Sequence, residues 1–487
     1  SRTTLERTSL RALATRFDRN CRLSDDEFGG ARCAERCSSK LRVDGGAADD
    51  SGVAFVQFTS GSTSQPRGVA IGHRQLSHNC ALIRQQFGVE ADDVNVSWLP
   101  QYHDMGLVGG YMVPPDRGAK PAEVTSAFLS PAAFVRDPVV WALAMSKYGA
   151  TMTQAPDFAY RLCAERFALE RFASSSPRPG ELNLSKLRRC LNASERINAD
   201  TAMIFSRAFA DFGFDVRAMS AGYGLAESVV YVCDGGRSHE TVSARRLERD
   251  LIAECVRFDS KGLKSKSFDP SDARRVASCG APRGDVKVLV VDPQTRLTLP
   301  DGRVGEVWIA SPSVARGYWN ETNEIGPRDD DSPTGPPRDD SSPFGATLAP
   351  RSTTFPRGFA AAEIEKERYL RTGDLAYMRR GELYVVGRVK DLIVIGGRNI
   401  APEDVERTVR ETRWSHRGRG VLGARILRPG SIAAFDVDDD GGVVRESLAV
   451  VAEVRDGVEL APADLGVVVD GIVRAVSKAH GVTIPRC

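Results

Sequence analysis

Apolar and polar positions along this chain follow two rhythms. Short apolar runs such as 286–292 (VKVLVVD) and 304–310 (VGEVWIA) have the length of buried strands. Longer stretches such as 138–150 (PVVWALAMSKYGA) and 201–213 (TAMIFSRAFADFG) carry apolar residues at helical spacing. From Val53 to about residue 320 the two kinds alternate, which predicts α/β layers. Phe55, Val56 and Phe58 read as a buried strand, and Leu76, Cys80 and Ile83 downstream as one face of a helix. Further on, two strand patterns flank Arg380-Gly381 and a helix follows Pro402. Residues after 420 alternate in short segments that suit a small α/β lid.

Two segments break the rhythm. Residues 1–52 are polar, with Gly, Ala and Asp gathered near DGGAADDSG, and predict a partly ordered lead-in. Between 321 and 368, PRDDDSP at 327–333 returns as PRDDSSP at 337–343. Pro, Asp and Ser with nothing apolar to bury predict a disordered surface insertion there. The opening SRTTLERTSLRALATRF has no apolar core of signal-peptide length, yet it is rich in Arg, Ser and Thr with one acid, Glu6. A cytoplasmic location is expected and an organellar one stays open; an opening Ser in place of Met points to a segment of a longer product.

Composition narrows the class. At 487 residues, 41% hydrophobic and 27% charged, the chain can fill two or more cores. A net charge of +2 supplies no field for nucleic acid or an anionic membrane. No apolar run reaches the roughly 18 residues of a membrane span. The ten cysteines are irregularly spaced, several in apolar segments (Cys163, Cys190, Cys255), and read as reduced thiols. Cys33 and Cys37 form a lone C-x3-C without a second pair, so no zinc site is expected.

The candidate chemistry begins at 55–73, FVQFTSGSTSQPRGVAIGH. Thr59, Ser60, Gly61, Ser62 and Thr63 bring four hydroxyls and a glycine to a strand end, a turn able to hold an anion. It is not a Walker loop, because Arg67-Gly68 leads into Val69 where Lys and Ser/Thr are required. Four further constellations follow. SWLPQYHDMGL (97–107) puts His103 and Asp104 after a strand, beside an apolar turn. AGYGLAES (221–228) joins Tyr223, a flat ring for a base, to Glu227, a carboxylate for a metal ion. RTGDL (371–375) places Asp374 at a strand-end turn, where a carboxylate can accept both hydroxyls of a ribose. GRVKDLIVIGGRN (387–399) adds the donors Arg388 and Lys390 beside a hinge candidate.

In this order and with these gaps, the set resembles the adenylate-forming superfamily of acyl ligases over about residues 53–484. WLPQYHDMGLVGG, APDFAYRLC, YGLAES and GELYVVGRVKDLIVIGGRN are most similar to the fatty acyl-AMP ligases, including those that load polyketide synthases. The alanine of YGLAE and the extra segment between ARGYW and YLRTGD point the same way. The resemblance implies a large multi-sheet α/β adenylation domain over 53–388, its first subdomain truncated, and a small, incomplete α/β lid over 389–487. It implies an ATP- and Mg²⁺-dependent enzyme that converts a fatty acid to acyl-AMP, releases pyrophosphate, and loads the phosphopantetheine of an acyl carrier protein or polyketide synthase module. Under it, Thr59 to Thr63 and Arg67 hold the pyrophosphate, with Glu227 and Thr63 on the metal. Tyr223 and Gly224 border the adenine, as do Ala193, Ser194 and Glu195 of LNASERI. Asp374, helped by Arg388, holds the ribose; His103 lies near the acyl carboxylate; Lys390 is a further catalytic cation; and Asp391 is the hinge.

Departures accompany the resemblance. Ser64 and Arg67 stand where the family has Gly and Lys, which changes donor geometry. GGRNIAPEDVE lacks the His-Tyr pair that many of these ligases carry after Asn. The residues of the missing subdomain would otherwise pair the sheet edge, so an exposed edge or apolar face is expected. The Gly-Lys whose lysine serves adenylation in the family has no counterpart before Cys487, so slow adenylation with retained nucleotide binding is expected, unless Lys390 or Arg398 takes that role. Two other readings stay open: a non-catalytic nucleotide- or carrier-binding remnant, and an acyl-CoA synthetase.

Overall fold

The computed structural model describes residues 52–59, 66–113, 126–172, 182–243, 273–319, 343–346, 368–395, 398–412, 414–416, 419–422, 426–437, 447–455, 458, 460–482 and 484. The lead-in up to residue 51, Ser60 to Gln65, Cys255 and nearly all of the Pro/Asp/Ser repeat lie outside these. Two compact units interleave in sequence: Ser1–Arg237 with Cys279–Lys287 and Ile309–Gly345, and Ser238–Ser278 with Val288–Trp308 and Ala346–Cys487.

The first unit opens on β1 (Val53–Phe58) and β2 (Gly68–Gly72), paired antiparallel. The strand expected at Phe55, Val56 and Phe58 forms, but it is not buried: Phe55 and Val56 are half-buried and Phe58 is 64% exposed. Among the described residues β1 has β2 as its one strand partner, so this is a two-stranded ribbon with little of its own to cover its faces. Helix α1 (His73–Phe87) follows at once, burying Asn79, Cys80, Leu82 and Ile83, and stops at Gly88 in the left-handed conformation, φ 52°.

A seven-stranded sheet carries the core of this unit. Its strands are β3 (Asn95–Ser97), β4 (Ser126–Phe128), β5 (Met152–Pro156), β6 (Arg189–Ala193), β7 (Met219–Tyr223) and β8 (Cys233–Gly236). The chain then contributes β9 (His239–Ser243) and β10 (Ala273–Ala277) to the second unit and returns as β11 (Ala281–Pro282). The order is β11-β8-β7-β6-β5-β3-β4, parallel from β4 to β7. Helices α2 (Pro131–Arg136), α3 (Val139–Tyr148), α4 (Asp157–Phe172) and α5 (Thr201–Phe209) form the helical layers of this unit. α2 starts where Ser130 accepts the Ala133 N–H, with Pro131 in its first turn. Trp141, Tyr160, Phe134, Phe167, Phe205 and Phe209 are fully buried between helices and sheet, each worth about 1.5–3 kcal/mol or more of apolar burial. Cys163 and Cys190 are buried, as their apolar segments predict.

The second unit is built on β12 (Lys287–Val291), β13 (Gly305–Ala310), β14 (Leu370–Arg379) and β15 (Glu382–Arg388), adjacent in that order. β14 and β15 are joined by Arg380 (φ 53°) and Gly381 (φ 82°), the double left-handed turn that suits the twist of a hairpin. β9 and β10 pair with each other. Next come the hairpin β16 (Ile393–Ile395) and β17 (Arg398–Ile400), α6 (Pro402–Glu411), β18 (Trp414–His416) with β19 (Arg419–Leu422), β20 (Leu427–Val437) with β21 (Ser447–Val454), and α7 (Pro462–His480). Ile393, Ile400, Val405, Val409, Leu448 and Val476 close a small core among these elements. No helix among the described residues is long and apolar enough to cross a membrane.

Candidate active site

Because β3, β5, β6 and β7 run parallel, they end at one rim of the sheet. In open α/β sheets that rim is where ligands bind. The strand ends and loops at that rim carry His103, Ala193 to Glu195, and Tyr223 to Glu227, with Ala193 and Tyr223 the last residues of β6 and β7. At the β6 end, Glu195 Oε1 accepts the Phe158 N–H at 2.6 Å, so a carboxylate stands on the N-terminal turn of α4, where the helix dipole favours it. Ser194 is held at φ 74°, uncommon for a residue with a Cβ, and its hydroxyl donates to Met105 Sδ at 3.4 Å. Behind them Asp157 accepts from Asn192 Nδ2 at 2.7 Å and Thr201 Oγ1 at 3.0 Å. Burial pushes the Asp157 carboxyl above the usual range against these hydrogen bonds.

His103 precedes a π-helix, Met105–Met112, into which the expected apolar turn continues. Asp104 Oδ1 lies 2.7 Å from His103 Nδ1 and accepts the Met105 N–H at 2.6 Å. The hydrogen bond to Asp104 raises the His103 pKa above the ordinary histidine value, with burial opposing it. The ring stays about half exposed, with a side-chain exposure of 48%, so it can meet a ligand.

The tightest gathering lies at β2. Thr59 N and Oγ1 both donate to Arg67 O, at 2.9 and 3.3 Å, while Ser60, Gly61, Ser62 and Thr63 lie outside the described residues. The Arg67 guanidinium sits 4.2 Å from the centre of the Tyr318 ring. Tyr318 Oη in turn donates to Glu227 Oε1 at 2.7 Å. Backbone bonds hold this arrangement: Trp319 N donates to Gly68 O, Ala70 N to Gly317 O, and Ala315 N to Glu227 O at 2.8 Å. Glu227 itself lies in a 3₁₀ turn, Ala226–Ser228, followed by Val229 at φ 64°. The turn begins at Gly224, where a Cβ would stand 1.6 Å from Val230 O, so no larger residue fits. Tyr318 escaped sequence reasoning; its only signal is the aromatic pair of ARGYW, just before the insertion.

In the second unit Asp374 is not at a strand-end turn as expected but within β14, directly opposite Arg388 on β15, because the strand runs from Leu370 to Arg379 through the glycine. Arg388 Nε donates to Asp374 Oδ1 at 2.7 Å, so the carboxylate is buried but paired. Its approach is set by Gly373 at φ 72°, and by Thr372 Oγ1, which donates to Val307 O at 2.8 Å and accepts the Asp374 N–H at 3.0 Å. Buried Glu306, which also escaped sequence reasoning, accepts from Arg371, Trp308 and the Gly373 N–H. Lys390 lies exposed in the turn after β15, beside Asp391, whose N–H donates to Arg388 O at 3.3 Å.

A cation, a phenol and a carboxylate beside the Thr59–Arg67 contact, near the rim of a parallel sheet, suit a phosphorylated ligand. The family model for AMP-binding enzymes matches residues 11–319, more than half of the 487. The chain belongs to the AMP-binding enzyme family. Within that family it is similar to a medium-chain fatty-acid–[acyl-carrier-protein] ligase of Moorena producens, 33% identical over 89% of this chain and 63% of the relative. A solved structure from a study of fatty acyl-adenylate ligases of E. coli and L. pneumophila aligns with a TM-score of 0.66 and 26% identity over 89% of this chain and 65% of that one. The L. pneumophila fatty acyl-adenylate ligase solved with acyl adenylate and pyrophosphate aligns at 0.56 and 29% identity, over 89% and 65%. The chain spans less than two thirds of each of these AMP-binding proteins. The matched range takes in β1 to β13, and with them the strand-end loops and the Arg67–Tyr318–Glu227 contacts.

Proposed function

We propose that the protein activates a fatty acid with ATP to acyl-AMP, releasing pyrophosphate, and passes the acyl group to the phosphopantetheine thiol of an acyl carrier protein or polyketide synthase module. In the first step a carboxylate oxygen bonds to the α-phosphorus and the bond to the β-phosphate oxygen breaks, its electron pair leaving with pyrophosphate. In the second the thiol sulfur takes the acyl carbon and AMP leaves. The observation that carries this reading is the Arg67–Tyr318–Glu227 chain beside the Thr59–Arg67 contact.

Thr59, with Ser60, Gly61, Ser62 and Thr63, and Arg67 hold the leaving phosphates, and stacking on Tyr318 fixes the direction of the Arg67 charge. Glu227 spends one acceptor site on Tyr318 and keeps others, enough for Mg²⁺, which asks one or two carboxylates of the protein beside phosphate oxygens. Thr63 is its second proposed contact. Bound there, the ion neutralises charge on the phosphates. Tyr223, Gly224 and Ala193 to Glu195 border the adenine, and Asp374, oriented by Arg388, takes the ribose hydroxyls. His103, kept protonated to higher pH by Asp104, faces the acyl carboxylate. Residues 389–487 act as the lid, turning at Asp391 and carrying Lys390.

The test is to mix the protein with ATP, Mg²⁺ and fatty acids of medium to long chain. Pyrophosphate release, acyl-AMP by mass spectrometry and loading of a phosphopantetheinylated carrier protein are the expected results. Absence of pyrophosphate release with every acid overturns the reading, and preferential acyl-CoA formation replaces its second half.

A further inference from the structure

The inference rests on the adenylation reading and concerns what holds Tyr318 against Glu227. Asn79, fully buried on α1, has three acceptors around the two N–H bonds of Nδ2: Ser313 Oγ at 2.9 Å, Tyr231 O at 3.0 Å and Ser228 O at 3.3 Å. Its Oδ1 accepts the Tyr231 N–H at 3.2 Å. Ser228 and Tyr231 belong to the loop that presents Glu227, and Ser313 opens the segment that presents Tyr318. One amide therefore ties the two segments whose side chains meet in the Tyr318–Glu227 hydrogen bond.

The tie continues outward. His78 Nε2 stands 3.0 Å from Asp285 Oδ1, and His78 Nδ1 stands 2.7 Å from Ser313 Oγ. In the tautomer that donates Nε2–H to the carboxylate, Nδ1 accepts the Ser313 hydroxyl, and Ser313 Oγ is left to accept from Asn79. The donors then run one way, from Asn79 through Ser313 and His78 to Asp285. Asparagine is a poor helix former and costly to bury unless its hydrogen bonds are made. At a buried position on α1 it carries both costs, and these contacts offset them.

We propose that Asn79 is a positioning residue for ATP-dependent adenylation, clamping the loops of Glu227 and Tyr318 so that the carboxylate and phenol stay in contact. The test is a double-mutant cycle of Asn79→Ala and Tyr318→Phe, read by pyrophosphate release with ATP–Mg²⁺ varied. Alone, Asn79→Ala should cost about tenfold in kcat/KM for ATP, while in the Tyr318→Phe background it should cost under about threefold, because the contact it serves is already gone. Equal factors in both backgrounds, or parental activity of Asn79→Ala, overturn the proposal. If Asn79→Ala does not fold, Ser313→Ala, which removes one arm of the clamp, enters the same cycle with the same criterion. Hydrogen exchange supplies a readout independent of the reaction: the Ala315 N–H, which donates to Glu227 O, should exchange at least about tenfold faster in Asn79→Ala, with β5 amides unchanged. Unchanged exchange at Ala315 overturns the clamp even if activity falls. A parent that releases no pyrophosphate but shows this exchange pattern overturns the proposed function and supports the clamp.

Discussion

Tyr318 uses its ring face for Arg67 and its hydroxyl for Glu227, so the two contacts can be removed separately. Tyr318→Phe keeps the face and loses a hydrogen bond to a charged group, worth about 1.5–3 kcal/mol, or roughly tenfold to a hundredfold in kcat/KM for ATP. Arg67→Lys keeps the charge and loses the planar stack, and should cost less. Glu227→Gln and Asp374→Ala should each lower adenylation by at least about tenfold, since each removes a charged contact. Pyrophosphate release at saturating and limiting ATP measures all four, and parental kinetics in both carboxylate variants would remove these residues from the site. Glu227 and Asp374 stand out in the sequence because each closely follows a glycine in a short motif, YGLAES and RTGDL; the strand setting of Asp374 does not, because its pairing with Arg388 is made across β14 and β15. Tyr318 does not stand out, because its meaning depends on a partner 91 positions away.

Two glycines at the ends of these elements separate steric necessity from conformational strain. At Gly224 an added Cβ would meet backbone, Val230 O at 1.6 Å, so the turn into Ala226–Ser228 must open. At Gly373 nothing lies within 4 Å of the added atom, and the cost is only the left-handed backbone at φ 72°. Gly224→Ala should therefore lose about 3 kcal/mol or more of stability, and Gly373→Ala about 1–2 kcal/mol. Urea denaturation compares them, and equal losses would refute the steric argument. At this scale most of the fold was legible. α3, α5, β12, β13 and the β14–β15 hairpin follow from apolar period and from Arg380-Gly381. The burial of β1 was misread because an apolar run reports what a strand could bury, and Phe58 is 64% exposed in a sheet that has two strands among the described residues.

Over the whole molecule, the interleaving of the two units was not legible, because membership is decided by strand pairing between distant segments, such as β13 with β14 across the insertion. Global stability against pH is legible from two buried acids of the first unit that shift in opposite directions. Burial pushes Asp93 up, but the Glu90 N–H, Thr151 and Arg188 hydrogen bonds, with the charge of Arg189, outweigh it and hold the carboxyl below the usual range. Its contribution is then present above the unfolded pKa of about 3.9 and lost as pH falls through the lower folded value. Asp157 is the reverse: burial raises it, so its contribution is full below the unfolded pKa and lost as pH rises through the folded value. Measured as the urea unfolding free energy of parent minus variant, the effect of Asp93→Asn should shrink on acidification from neutral pH, and that of Asp157→Asn should grow. A common direction for both differences would show that these carboxyls do not set the acid response. Opposed slopes would place the acid-labile contact at the Asp93 cluster, which joins the segment before β3 to Thr151 and to the Arg188–Arg189 step into β6.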